Sequence, residues 1–317
     1  MASHAQAMAR SARRGKHKDT FLGFFCISPW FIGFVLLTLG PLVASICFGF
    51  TRYGLIDTPK WIGLENYVRM FTADRLFWQS LRVTFFYSMS AVPLGLVFGL
   101  LLALLLNERV MFLGVFRTLF YLPAVLSGVA VAIMWTWIFN PKFGVLNWLL
   151  SLVGIRGPGW LSDPGWALPA FVIMSLWGVG GGMLIYLGGL QGIPTDLYDA
   201  AKVDGAGRWH RFANVTLPML SPILFYNLVQ GIIGSFQVFT PAYVMTRGGP
   251  AYATFFYVYY LYQNAFSYGS SAGGMGYASA LAWILFLIIM FFTVLVLRSS
   301  AVWVYYEGMR MGGGRRW

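Results

Sequence analysis

The chain has 317 residues, of which 58% are hydrophobic, 18% aromatic and only 10% charged, and its mean hydropathy is +0.69. Such a composition excludes a soluble surface and indicates a protein surrounded by membrane lipid. The net charge of +12 would suggest nucleic acid in a soluble protein. Here the basic residues cluster in loops and tails beside apolar runs, so the positive-inside bias of membrane proteins explains them and no nucleic-acid partner is expected.

The apolar runs predict an all-α membrane protein with six transmembrane helices. A basic cytoplasmic tail (1–20) comes first, a transmembrane domain (21–300) follows, and a cytoplasmic C-terminal tail (301–317) ends the chain. The first apolar run is too long for the core of a signal peptide, so we expect it to be retained as a helix. The predicted spans are Phe21–Phe50, Val83–Leu106, Thr118–Phe139, Ala167–Leu190, Met219–Tyr243 and Ala278–Leu297.

Charge distribution predicts the orientation. With the amino terminus in the cytoplasm, most Lys and Arg residues fall on the cytoplasmic side, and both termini lie there. The polar and aromatic segment 51–79 is then expected to fold against the outer face. The loop between the fourth and fifth spans faces the cytoplasm.

That loop is the most polar internal segment of the chain, yet it has a helical pattern. Leu197, Ala200, Ala201 and Asp204 recur at i, i+3, i+4 and i+7 and therefore share one helical face. Gly205 follows, where the backbone can bend or approach a partner closely. Aromatic and basic side chains come next, a mixture that indicates a protein interface.

The same residues carry a motif. Its pattern is EAA, three residues, G, nine residues, I, one residue and LP, and this chain matches with Asp199-Ala200-Ala201, Gly205, Val215 and Leu217-Pro218. Asp199 replaces the usual Glu, and Val215 the usual Ile. In this motif the chain resembles the permease subunits of binding-protein-dependent ABC importers. The segment Thr246-Arg247-Gly248-Gly249-Pro250 resembles the carbohydrate-importing branch, whose members pair with a second permease.

The resemblance implies the type I ABC importer permease fold in the cell inner membrane, with a coupling helix in a loop at 191–218. It also implies a second, different permease subunit, two ABC ATPase subunits, an extracytoplasmic solute-binding protein and a carbohydrate substrate. The ATPase contact is expected at seven residues. They are Asp199, Ala200, Ala201, Asp204, Gly205, Leu217 and Pro218.

Catalytic motifs are not found in the sequence. The only Gly-Lys pair is Gly15-Lys16 in the basic tail, so no phosphate-binding loop is present and this chain does not hydrolyse ATP by that route. His4, His17 and His210 have no metal-site spacing. We therefore expect no catalytic residue, metal site or cofactor, and a role as a non-catalytic membrane subunit.

The predicted spans contain no Asp, Glu, Lys, Arg or His. Ion-coupled carriers keep such groups despite an insertion cost of about 2.5–3.5 kcal/mol each. Their absence favours an uncharged substrate, such as a sugar, over the alternative of an ion-coupled secondary carrier for a small neutral solute. A membrane-embedded enzyme is a further alternative, but Glu65 and Asp163 are too isolated to form an acid/base pair.

Polar residues of the fifth predicted span are the candidates for substrate binding. Asn227, Gln230, Gly234 and Gln237 follow one another at helical spacing and form one stripe, with Gly231 and Ser235 beside it. Amides donate and accept hydrogen bonds, as sugar hydroxyls require. In the fourth span, Trp177 could stack on a sugar ring and Gly178 would leave room. The alternatives are amides that join helices and a Trp that packs in the core.

Overall fold

The computed structural model describes residues 23–54, 58–108, 111–267 and 274–305. The basic tail 1–20 and most of the predicted C-terminal tail lie outside the described residues. Within them the only strands are two short ones, β1 (Thr51–Arg52) and β2 (Lys60–Trp61), which pair antiparallel. The α-helices are α1 (Gly23–Gly49), α2 (Glu65–Thr72), α3 (Arg75–Asn107), α4 (Leu113–Val125), α5 (Gly128–Ile138), α6 (Val145–Leu152), α7 (Pro164–Trp177), α8 (Gly180–Gly192), α9 (Thr195–Val203), α10 (Arg208–Phe236), α11 (Tyr257–Tyr262) and α12 (Gly274–Trp303). Two further segments, Ala242–Thr246 and Gln263–Ser267, are π-helical.

Six spans are present when bent helix pairs are included. Helices α1, α3, α10 and α12 are each long and apolar enough to cross a membrane. The pairs α4 with α5 and α7 with α8 meet the same criterion together, which brings the number to six if each pair is one span. The prediction of an all-α, six-span protein is therefore confirmed, with two spans bent rather than straight.

The third predicted span, Thr118–Phe139, is wrong as a single helix. Helices α4 and α5 are bent by 103° from each other. Leu126 and Ser127 have extended ψ angles of 147° and 131°, so the chain leaves helical geometry at these two residues. Pro123, which donates no backbone hydrogen bond, and the Ser127-Gly128 pair are the helix-breaking signals that the high hydropathy of this run concealed.

The fourth and fifth spans also differ from the prediction. Helices α7 and α8 bend by 44° next to Gly178, in the glycine cluster of the predicted fourth span. Helix α10 ends at Phe236 rather than Tyr243. The break lies at residues 237–239. Thr240 and Pro241 already belong to the next helical segment, where a proline in the first turn loses no hydrogen bond.

Helix α3 is longer than its predicted span and carries charge. It begins at Arg75, eight residues before Val83, and so includes Arg82. Likewise Arg117 lies in α4 and Arg298 in α12. The predicted spans themselves contain no charged residue. The helices extend beyond those spans, and their ends therefore include arginines.

Helix α3 is the centre of the packing, with α7, α8, α10 and α11 against it, and α12 packs on α10 and α1. Two buried apolar clusters result. The end of the bundle near α9 is here called the inner end, and the opposite end the outer end. The inner cluster consists of Ala103, Leu106, Met183, Tyr186, Leu187, Leu190, Ile193 and Leu220.

At the outer end, Asp74 joins three helices. Its Oδ1 accepts hydrogen bonds from the backbone N–H of Leu76 at 2.9 Å and of Phe77 at 3.0 Å, which caps α3. Its Oδ2 accepts hydrogen bonds from the hydroxyls of Tyr260 in α11 and Tyr277 in α12. A single carboxylate therefore fixes the relative positions of α3, α11 and α12.

We expect Asp74→Ala to destabilise the protein by about 3 kcal/mol, because it removes a helix cap and leaves two largely buried hydroxyls without their acceptor. Asp163 provides the matched control. It caps α7 with one bond, from the Gly165 N–H at 2.8 Å, so Asp163→Ala should cost only about 1 kcal/mol. Thermal unfolding of the detergent-purified protein compares the two variants. Equal shifts in the midpoint would contradict the joining role of Asp74.

Candidate translocation cavity and coupling loop

A cavity of about 510 Å³ lies between α3, the bent pair α7 and α8, and α10. Its lining mixes apolar side chains with hydroxyls, amides and exposed glycine backbone. The residues are Tyr87, Ala91, Val92, Gly95, Leu96, Ser175, Gly178, Val179, Gly182, Tyr186, Asn227, Gln230, Gly231, Gly234, Ser235 and Val238. Asp, Glu, Lys, Arg and His are absent from this lining, so the cavity fits a neutral polar solute.

Six of the eight predicted substrate residues meet in this cavity. They are Gly178, Asn227, Gln230, Gly231, Gly234 and Ser235. Helix α10 turns the i, i+3, i+4, i+7 pattern toward α3, and the bend between α7 and α8 brings Gly178 to the same space. The residues therefore come from two segments that are distant in sequence.

Gln237 and Trp177 lie elsewhere. Gln237 is the first residue after the end of α10. The prediction that it continues the polar stripe of Asn227, Gln230 and Gly234 along that helix is therefore wrong. Its side chain lines a separate cavity of about 580 Å³ beside α11 and α12. The Trp177 ring packs edge to face on Trp135, with ring centroids 6.0 Å apart, which is the packing alternative for this side chain.

The sequence analysis missed Tyr87, Ser175 and Tyr186. Each contributes a hydroxyl to the cavity lining. Tyr186 is 1% exposed and belongs to the inner cluster. Its hydroxyl lies beside the Asn227 side chain but forms no hydrogen bond of good geometry to the described residues. It lies four residues after Gly182, on the same face of α8, and this spacing is the signal that could have identified it.

Asn227 lies across from α8. Its Nδ2 donates to the Ile223 carbonyl at 3.2 Å, which leaves Oδ1 as an acceptor. A Cβ atom on Gly182 would lie only 3.2 Å from that Oδ1, so glycine permits the close approach of α8 to α10. Buried, unsatisfied polar groups are costly. The Tyr186 hydroxyl and the Asn227 Oδ1 therefore offer a donor and an acceptor to a bound solute at the inner end of the cavity.

The predicted coupling segment forms a helix and a loop at the inner end. Helix α9 runs over Thr195–Val203, Asp204 follows it, and Gly205 has a φ of +77°. That φ is in the left-handed region, which glycine adopts without strain. No residue of α9 is fully buried, and only Tyr198 and Ala201 are half-buried, so most of the helix is accessible to a partner.

The surface of this loop suits a protein contact. Val203 is 89% exposed and Trp209 is 77% exposed. Both are apolar side chains that the described residues leave uncovered. Asp199 forms an exposed ion pair with Lys202, with Oδ1 and Nζ 2.7 Å apart. The motif did not reveal the exposure of Val203, which is visible only in the structure.

One side-chain bond attaches the loop to the next span. The Tyr198 hydroxyl lies 3.0 Å from the Thr216 Oγ1 at the start of the apolar part of α10. Tyr198 also packs on the inner cluster together with Val215. These contacts join α9 to α10, the helix that carries Asn227, Gln230 and Gly234.

The Thr246–Pro250 segment forms a compact turn at the outer end. The Thr254 Oγ1 donates to the Gly249 carbonyl at 2.6 Å and lies 2.6 Å from the Thr246 Oγ1. Gly248 has a φ of +84°, and a Cβ there would lie 2.5 Å from the Phe255 ring. This turn therefore requires glycine for both conformation and space.

Together, the six-span fold, the uncharged cavity and the exposed helix between two spans define a membrane-embedded permease subunit. The chain matches a protein family described as "Binding-protein-dependent transport system inner membrane component" over residues 95–302. It belongs to this family and is a multi-pass protein of the inner membrane.

Individual relatives agree over almost the full length. A probable ABC transporter permease protein of Bacillus subtilis, YesP, is 46% identical over 96% of this chain and 97% of its own. The trehalose/maltose transport system permease protein MalF of Thermococcus litoralis is 35% identical over 89% of this chain and 95% of its own. The fold is similar to a chain of the bacterial alginate ABC transporter in complex with an alginate pentasaccharide-bound periplasmic protein. The TM-score is 0.77 at 24% identity, with 90% of this chain and 96% of that chain covered.

Proposed function

We propose that this chain is a permease subunit of an ATP-driven importer for a carbohydrate. The observation that carries the proposal is the cavity, whose polar groups are hydroxyls and amides without a charged side chain. Such groups match the neutral, hydroxyl-rich surface of a sugar. The trehalose/maltose permease relative supports the same substrate class.

The proposed importer contains further subunits. Two separate ATPase subunits hydrolyse ATP, and one of them contacts α9 through Asp199 to Gly205 and through exposed Val203 and Trp209. A second, different permease faces this one across the pathway. The alginate transporter in complex with a periplasmic protein supports delivery of the sugar by an extracytoplasmic solute-binding protein. Both termini are then cytoplasmic.

Coupling runs from the loop to the cavity. The domain 21–300 contains the coupling loop 191–218, in which Asp199 offers a carboxylate to the ATPase and Leu217-Pro218 begin the apolar part of α10. Closure of the ATPases displaces α9, and the Tyr198 to Thr216 contact transmits that displacement to α10. The cavity lining on α10 then moves relative to α8, which changes the side from which the sugar is accessible.

The ion-coupled carrier is the weaker alternative. A carrier keeps an ionisable group where its ion binds, and the cavity lining has none. Among the charged residues of the spanning helices, Arg82 lies outside this cavity, in a groove on the opposite side of α3.

Purification of the tagged chain from its native membrane in mild detergent tests the proposed assembly. Mass spectrometry should identify an ATPase and a second permease as stoichiometric partners. Loaded binding protein should then stimulate ATP hydrolysis, and a panel that includes maltose, trehalose and lactose identifies the sugar. Recovery of the chain alone, or uptake driven by an ion gradient without ATP, would contradict the proposal.

Tyr186→Phe tests the inner end of the cavity. The variant keeps the ring that packs in the inner cluster and removes only the hydroxyl, so the complex should assemble normally. Loss of one hydrogen bond to the sugar should lower the ratio of the maximal uptake rate to the half-saturation concentration by about tenfold or less. Tyr226→Phe is the matched control, because Tyr226 adjoins Asn227 but is 49% exposed and does not line the cavity. Equal uptake by the two variants would show that Tyr186 only packs.

A further inference from the structure

A second cavity lies on the other side of α3 and is almost wholly apolar. It is a groove of about 580 Å³ between α3 and α12, with Phe236 of α10 at one side. Eleven of its twelve lining residues are apolar or aromatic, and the remaining one is Arg82. The Leu287 and Phe291 side chains in it are 46% and 61% exposed, so the groove is open toward the surroundings of the bundle.

Arg82 has free hydrogen-bonding capacity. The ion pairs within the described residues join Arg52 to Glu65 and Lys202 to Asp199, and neither involves Arg82. Its guanidinium lies over the Phe86 ring, 5.6 Å from the centroid. A cation–π contact takes up no N–H group in a conventional hydrogen bond, so the guanidinium can still bind a bidentate anion such as phosphate.

The depth of Arg82 matches a lipid headgroup. Leu106, in the inner cluster, is 24 residues further along α3, which corresponds to about 36 Å at 1.5 Å per residue. The hydrocarbon core of a bilayer is about 30 Å thick. If Leu106 lies near the inner boundary of that core, Arg82 lies just beyond the outer one. Trp78, one turn nearer the outer end, has the interfacial position that Trp favours.

Apolar side chains of the groove lie on both sides of Arg82 along α3, with Trp78 toward the outer end and Phe85 toward the membrane centre. Phe85 is near Phe292, with ring centroids 6.1 Å apart, and Phe292 stacks on Phe236 at 5.6 Å. These rings form a continuous apolar wall below the guanidinium. A cation within an apolar groove is an arrangement that a phospholipid would fill, with its phosphate on the guanidinium and an acyl chain against the rings.

We propose that this groove binds one phospholipid with an anionic headgroup, whose phosphate pairs with Arg82 and whose acyl chain lies against Phe85, Phe236 and Phe292. Charge distinguishes this occupant from an apolar helix of a neighbouring protein. Such a helix would bury the guanidinium without an anion, which is costly. The inference is independent of the transported substrate.

Native mass spectrometry of the purified complex, with whichever subunits remain bound, tests the proposal. The complex is titrated with phosphatidylglycerol and, separately, with phosphatidylcholine of the same acyl chains. One phosphatidylglycerol should bind the wild type preferentially, and Arg82→Gln should weaken that binding by about tenfold, the expected loss for a hydrogen-bonded charge. Arg156→Gln is the matched control, since Arg156 is exposed and outside the groove.

A second variant tests the groove itself. Leu287→Trp should obstruct the apolar part while Arg82 remains, and it should weaken binding of phosphatidylglycerol by a similar factor. Equal losses in Arg82→Gln and Arg156→Gln would overturn the proposal in favour of non-specific attraction. Equal binding of the two lipids, or unchanged lipid binding in both Arg82→Gln and Leu287→Trp, would also overturn it. So would efficient crosslinking of a Leu287→Cys variant to another protein chain, because a protein would then occupy the groove.

Discussion

Gly205→Ala should lower uptake by roughly tenfold, because a φ of +77° costs an L-residue about 1–2 kcal/mol and the coupling loop then leaves its docking conformation. The space around this position is open, and a Cβ atom added there would have no heavy atom within 4 Å, so the loss is conformational rather than steric. Gly205→Asn should be milder, since Asn tolerates the left-handed region. Gly205→Trp should abolish uptake and leave membrane insertion intact.

Gly207 is the matched control for this effect. It lies two residues further on, also has open space around its Cβ position, and has a φ of −66° that any residue adopts. Gly207→Ala should therefore retain most of the uptake. The measurements are uptake into cells or proteoliposomes and co-purification of the ATPase. Comparable uptake by Gly205→Ala and the wild type would refute the requirement for a left-handed residue, and normal uptake by Gly205→Trp would refute the coupling contact.

Gly234→Trp should reduce uptake to background by filling the translocation cavity. Gly234 lines the cavity, and a Cβ there would have no heavy atom within 4 Å, so the indole can enter the cavity without displacing a neighbouring helix. Trp has one of the largest side chains, so it should fill much of a cavity of about 510 Å³. Gly234→Ala adds one methyl group and should be tolerated.

Gly114→Trp controls for the introduction of an indole. Gly114 lies in the first turn of α4 with open space around it and does not line the cavity. Both tryptophan variants should assemble with their partners and retain ATP hydrolysis without binding protein. Only Gly234→Trp should lose transport. Transport at the wild-type rate in that variant would exclude this cavity as the pathway.

Most of the coupling loop was predictable from the sequence because it is a local structure. The spacing of Leu197, Ala200, Ala201 and Asp204 predicts one helical face. A helix, α9, does form there over Thr195–Val203, but it ends one residue before Asp204. The prediction that glycine is needed at 205 agrees with its positive φ. Exposure of Val203 was not predictable, because a hydrophobic residue on an amphipathic helix gives no sign of whether its face is covered by the same chain.

The helix breaks were only partly predictable. Hydropathy measures the apolar length of a segment, so it predicts single spans over Thr118–Phe139 and Met219–Tyr243. Backbone hydrogen bonding decides where a helix ends, and the signals for it are single residues such as Pro123 and Gly128. The 103° bend between α4 and α5 leaves the hydropathy of the segment unchanged, which is why composition could not show it.

By itself the sequence determined the class of protein, the six apolar segments, the coupling motif and most of the amides of the candidate site. These depend on composition and on local spacing. The tertiary structure decided which polar residues share a space: it brought Tyr87, Ser175 and Tyr186 to Asn227, placed Gln237 and Trp177 elsewhere, and joined Asp74 to Tyr260 and Tyr277. Contacts between distant segments depend on how helices cross and bend, and periodicity along one helix carries no information about the neighbour that it faces.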